Sequence, residues 1–117
     1  MELNLINLNV SDWEGMVKWY QDVLGLTPLT LQPEHRYGWL DAGPVRLGIN
    51  GTHEAVEPSG RVAIQFEVKN LNEEMARLGA LGCEFFDVQN DEEDGYRMAS
   101  FRDPEGNAIA IYELMNS

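Results

Sequence analysis

Apolar and polar residues alternate from Leu3 to Val10, with Ile6, Leu8 and Val10 on one face and Leu5, Asn7 and Asn9 on the other. Successive side chains of a strand point to opposite faces, so this pattern predicts a half-buried strand. Ser11-Asp12-Trp13-Glu14 follows, with a hydroxyl three residues before a glutamate, and predicts a capping box that opens a helix. Trp13, Met16, Val17, Tyr20 and Leu24 then recur at helical spacing as one apolar stripe. Gly25 is placed to end that helix in a left-handed conformation. Strands are predicted next over Pro28–Leu31, Tyr37–Asp41 and Val45–Asn50, the last two punctuated by Gly43-Pro44.

The same order then returns. Arg61–Val68 alternates, with Val62, Ile64, Phe66 and Val68 apolar. Asn70-Leu71-Asn72-Glu73 is a second capping box, Leu71, Met75 and Leu78 a second stripe, and Gly82 a second stop. Strands are predicted over Glu84–Val88, Tyr96–Phe101 and Asn107–Glu113. Val68 stands 58 residues after Val10, and Gly82 stands 57 after Gly25. The chain therefore reads as two copies of strand-helix-strand-strand-strand: module 1–50, a polar linker 51–60, and module 61–117. Each copy alone is too small for a good core, so one compact α+β domain is expected.

Composition narrows the function classes. The chain has 117 residues, 44% of them apolar, which suits a packed domain and not a disordered tail. Twenty acids against 8 bases leave a net charge of −12. Phosphate backbones and anionic lipid surfaces need a basic partner, so neither nucleic acid nor membrane is expected. No apolar run reaches membrane-spanning length, and with no basic region before a long apolar stretch after Met1–Asn4, no secretory signal is expected. The single cysteine, Cys83, cannot close an internal disulfide, and a cytoplasmic location is expected.

Val10-Ser11-Asp12, Trp19-Tyr20-Gln21-Asp22-Val23-Leu24-Gly25-Leu26 and Asp103-Pro104-Glu105-Gly106-Asn107 stand in this order within the repeat. Together they resemble the vicinal oxygen chelate superfamily: glyoxalase I, the bleomycin-resistance proteins and the extradiol dioxygenases. The first is similar to the family's strand-to-helix entry. The second is similar to its FYxxvLGf helix end, with Trp19 for Phe. The third is similar to its DPdGN hairpin. The resemblance implies two βαβββ modules, a curved mixed β-sheet forming a cup, and a homodimer. In the hairpin itself, Pro104 presets φ and Asp103 can accept from amides ahead of it, which makes it a reporter of fold and not of chemistry.

Metal-using members are expected to hold their ion in the cup, with a His or Gln in the first strand of each module and a Glu in the last. The resemblance carries those positions onto Leu5, Gly48, Ala63 and Ala110. None has a donor atom on its side chain, and divalent ions need imidazole, carboxylate or thiolate donors. A one-residue slip offers only Asn4 and apolar neighbours; a two-residue slip offers Asn7 and Gln65, amides without carboxylate company. No metal or other cofactor is expected, and the chain resembles most the metal-free bleomycin-resistance branch.

Strand alternation sends Asn7, Asn9, Arg46, Asn50, Gln65, Glu67 and Tyr112 to the cup side, with small residues at Gly48, Ala63, Ala108 and Ala110 leaving room. A roomy concavity with a few polar groups suits a small molecule. Equally, Arg46 and Glu67 can form a structural ion pair while the amides satisfy one another or face water. Trp39 and Tyr37 share one side of their strand, to stack a planar ligand or to fill core. The expected ligand-binding set is Asn7, Asn9, Trp39, Arg46, Asn50, Gln65, Glu67 and Tyr112. A cationic or aromatic ligand is expected, the cation because of the global charge, while Arg46 and Arg61 keep an anionic ligand open against that charge. An enzymatic alternative would need a metal on His35, His53, Glu67 or Glu113, or acid–base work by Glu67 or Tyr112. Asp91-Glu92-Glu93-Asp94-Gly95 lacks the twelfth-position Glu of a calcium loop, and reads as a solvated hairpin or an acidic lip over the cup.

Overall fold

A computed structural model describes residues 1–115. The chain divides into two compact units, Met1–Glu57 and a second beginning at Pro58. Each is a βαβββ module. The first runs β1 (Leu5–Val10), α1 (Trp13–Asp22), β2 (Thr27–Gln32), a 3-10 turn over Pro33–His35, β3 (Tyr37–Asp41) and β4 (Arg46–Gly51). The second runs β5 (Ile64–Glu67), α2 (Leu71–Ala80), β6 (Phe86–Asp91), β7 (Tyr96–Arg102) and β8 (Ala108–Leu114). The sheet orders are β1-β4-β3-β2 and β5-β8-β7-β6. In both, the first strand lies parallel to the last, and the remaining pairs are antiparallel.

One face of each sheet takes the helix. In the first unit Val10, Leu40, Leu47 and Ile49 are buried together with Trp13, Met16, Val17 and Tyr20 of α1. Trp13 is also fixed by a buried hydrogen bond from its Nε1 to the Ile49 carbonyl, at 2.9 Å. In the second, Phe101, Ile109 and Ile111 are buried with Leu71 and Leu78 of α2. The Leu71 amide at the start of α2 donates to Glu113 Oε1 at 2.8 Å. That bond satisfies a helix-end donor that has no partner within the helix.

Several local expectations shift. The N-cap of α1 is Asp12, not Ser11: Asp12 Oδ1 accepts from the Gly15 amide at 3.1 Å. A carboxylate one position later does the same work with the added attraction of a negative charge for a helix N-terminus. Asn70 caps α2 as its sequence predicts, accepting from the Glu73 amide at 3.0 Å. Leu24 falls beyond the end of α1, and the chain turns at Gly25, φ +75°. Gly51 closes β4, its amide bonded to the Arg36 carbonyl at 2.8 Å.

The strand β5 is shorter than Arg61–Val68, and Ala63 lies just before it. The strand β6 starts and ends later than Glu84–Val88. A register shift between Phe86 and Gln89 and a positive φ at Asp87 interrupt the alternation there. The Asp103 hairpin is built as expected. Buried Asp103 accepts through Oδ1 from the Glu105 and Asn107 amides, at 3.0 and 2.9 Å, and through Oδ2 from Asn107 Nδ2 at 2.8 Å. The acidic run is a hairpin turn between β6 and β7, with Asp91 Oδ1 accepting from the Asp94 amide at 2.9 Å. No helix among the described residues is long and apolar enough to cross a membrane.

Candidate ligand-binding site

The face of the first sheet away from α1 is polar and aromatic. Residues paired across neighbouring strands share a face, so three rows cross it: Leu5, Arg46 and Asp41; Asn7, Gly48 and Trp39; Asn9, Asn50 and Tyr37. Thr30 and Gln32 extend the last two rows onto β2. Asn9 Oδ1 accepts from Asn7 Nδ2 at 3.2 Å and from Asn50 Nδ2 at 3.0 Å. The amides therefore do hold one another, in a chain across β1 and β4. Trp39 Nε1 donates to the Tyr37 hydroxyl at 2.6 Å, with the two rings edge-to-face. The Arg46 guanidinium lies 5.2 Å from the Trp39 ring centroid, a cation–π distance.

Gly48 sits under this cluster and does not leave the expected room. A Cβ there would stand 2.6 Å from Asn7 Oδ1, 3.2 Å from the Tyr37 hydroxyl and 3.4 Å from Leu5 Cδ1. The missing side chain is replaced by its neighbours' polar ends, which close over the glycine. A longer side chain at this position would have to displace them.

The second unit repeats the face with different chemistry. Gln65 pairs with Ala110 and Glu67 with Tyr112 across β5 and β8; Ser100 and Met98 of β7 continue the same two rows. Tyr96 donates its hydroxyl to Gln89 Oε1 at 3.3 Å. Ala110 and Ser100 are buried, while Gln65 and Glu67 are exposed.

The residues do not fit a metal ion. Leu5 and Gly48 in the first unit and Ala110 in the second present no side-chain donor, and Ala63 is not on a strand. The rows that pair Asn7 with Gly48 and Gln65 with Ala110 set an amide beside a residue without a donor. Glu113 is engaged at the start of α2, on the helix side of its sheet. His35 is exposed beside Glu34 at 4.0 Å, and His53 Nδ1 lies 3.5 Å from an Arg36 nitrogen. Among the described residues no three of His, Cys, Asp and Glu gather closely enough to hold an ion.

Residues 2–111 match the model of the glyoxalase/bleomycin resistance protein/dioxygenase superfamily. The chain belongs to that superfamily. A relative, YraH of Bacillus subtilis (strain 168), is 27% identical over 128 aligned positions, covering 98% of this chain and all of that protein. Of solved structures, TnmS3, an antibiotic binding protein from Streptomyces sp. CB03234, aligns with a TM-score of 0.80 at 24% identity. It covers 97% of this chain and 96% of its own. Lactoylglutathione lyase from Agrobacterium tumefaciens aligns with a TM-score of 0.77 at 20% identity, over 96% of this chain and 92% of its own. Both share the superfamily fold with this chain.

Of the residues expected from sequence to line a site, Asn7, Asn9, Trp39, Arg46 and Asn50 come together on the first sheet. Gln65, Glu67 and Tyr112 share a face of the second. Sequence reasoning left out Gln32, Thr30, Met98 and Ser100. The signal for the last two was present: Tyr96, Met98 and Ser100 alternate with Arg97, Ala99 and Phe101, and the apolar burial of Ala99 and Phe101 assigns the faces. On β2 the register shift between Pro28 and Thr30 breaks the alternation and removes the signal.

Proposed function

We propose that the chain is a metal-free small-molecule-binding protein, a cytoplasmic homodimer that holds its ligand without turning it over. The observation that carries this reading is the cluster over Gly48. Amides, a phenol, an indole and a guanidinium converge there without an imidazole, and Asp41, the carboxylate of the same face, is bonded to the Gly43 amide at the β3–β4 turn. Such a set can orient a planar molecule through hydrogen bonds and ring contacts. It lacks both a Lewis acid's donors and a group suited to proton transfer near neutral pH. The likeness to TnmS3, named as an antibiotic binding protein, supports the same direction.

A thermal-shift screen against cationic antibiotics, aromatic metabolites and thiol conjugates tests it. A ligand at a hundredfold its dissociation constant stabilises the fold by about 2.7 kcal/mol. A hit recovered chemically unchanged after prolonged incubation supports the reading. Conversion of a hit into product, or no shift by any class, contradicts it.

A further inference from the structure

The hydrogen-bonding balance of the first-unit face is uneven. Asn9 Oδ1 is taken twice, by Asn7 and Asn50, while the two N–H groups of Asn9 Nδ2 have no protein partner within their unit. The Tyr37 oxygen accepts from Trp39, which leaves its own O–H to donate outward. Arg46 brings five N–H groups and takes part in no ion pair within its unit. The carboxylate that could neutralise it is close in register: Asp41 is its direct cross-strand partner. But Asp41 Oδ1 accepts from the Gly43 amide at 2.9 Å, which turns that side chain into the β3–β4 turn. Arg46 instead lies over the Trp39 ring.

Donors of Asn9, Tyr37 and Arg46 therefore stand beside an aromatic wall, and while Asp41 is bonded at the β3–β4 turn, the Arg46 guanidinium lies over the Trp39 ring. The chain as a whole carries −12. Salt screens the effect of charges farther away than a Debye length of about 8 Å at physiological ionic strength. A guanidinium in direct contact with an anion is screened far less, and its fork matches a carboxylate bidentately.

We propose that the ligand of this face is an aromatic carboxylate, its acid group held by Arg46 and its ring against Trp39 and Tyr37. The proposal rests on the binding reading given above and reverses the ligand charge suggested by composition. It predicts an acceptor-rich anion where the net charge alone predicts a cation.

Isothermal titration of the full chain with three matched probes tests it: 2-naphthoate, 2-naphthamide and 2-naphthylmethylamine. The naphthoate is expected to bind at least about tenfold more tightly than the amide, with the amine weakest. Arg46→Gln should remove that preference, reducing naphthoate affinity by about tenfold while leaving the amide within about twofold. Arg46 is exposed, so this variant should stay folded, its melting temperature falling only slightly with the loss of the Trp39 ring contact. Arg46→Lys, which keeps the charge and loses the fork, checks it further by restoring only part of the preference. An amide or amine that binds as tightly as the acid overturns the carboxylate proposal and leaves the binding reading standing. No binding by any probe also overturns the proposal, and the broader thermal-shift screen then decides the binding reading separately.

Discussion

The side-chain oxygen of Asn7 lies 2.6 Å from the point where a Cβ on Gly48 would stand. Real side chains do not approach so closely, so Asn7 and Gly48 are one packing unit: the amide occupies the volume that the glycine gives up. Gly48 is one of the positions where metal-using relatives are expected to carry a carboxylate. Here that position lacks a donor, and any side chain placed there would have to turn Asn7 aside.

Gly48→Ala should therefore destabilise the protein by about 1 kcal/mol or less, because the nearest atom is the end of the exposed Asn7 side chain, which can turn aside at the loss of its bond to Asn9. In an Asn7→Ala background the same change should cost less, with a coupling of at least about 0.5 kcal/mol. Urea unfolding of the two single variants and the double variant measures it. Equal costs in both backgrounds would show that Asn7 does not fill the site.

The start of α1 gives a second test. Because Asp12 accepts from the Gly15 amide, Asp12→Ala should cost about 1 kcal/mol, as cap removal generally does. Ser11→Ala should cost clearly less. A larger loss from Ser11→Ala in thermal unfolding would restore the capping box centred on Ser11.

How far the sequence foretold these features depends on what signals each one. The two modules, the helix stripes and the partition of β1 and β4 into apolar and polar faces all follow from periodicity, and all are present. The stripe of α1 fails only at Leu24, where Gly25 had already turned the chain. Where a strand carries a bulge, at Pro28–Thr30 and at Phe86–Gln89, alternation no longer assigns faces, and the expected bounds of β6 drift. The cap shifted because Ser11 and Asp12 are both good cap residues and sequence spacing favoured the one three before Glu14. The space at Gly48 was illegible for a different reason. A glycine reads as room, whereas its occupancy depends on the reach of Asn7 and Tyr37 from two neighbouring strands.

Cys83 supplies a pH-dependent prediction. Burial pushes its thiol above the ordinary thiol value, because desolvation disfavours the thiolate, and the Arg77 charge partly opposes this. The folded protein should react with a disulfide reagent more slowly than a small thiol at the same pH, with the difference abolished in urea. Arg77→Gln should slow the reaction further. The associated stability is fully present below the ordinary thiol value and is lost as pH rises through it toward the higher folded value. A folded-state rate equal to that of a free thiol would contradict the assignment.

The most direct test of the whole account is elemental analysis of the untagged protein, purified without chelator and dialysed after exposure to Ni²⁺, Zn²⁺, Fe²⁺ or Mn²⁺. Leu5, Gly48 and Ala110 offer no donors, so retained metal should fall far below stoichiometric and none of these ions should raise the melting temperature. Retention of about one ion per chain, with a matching gain in stability, would mean that the protein assembles a metal centre after all.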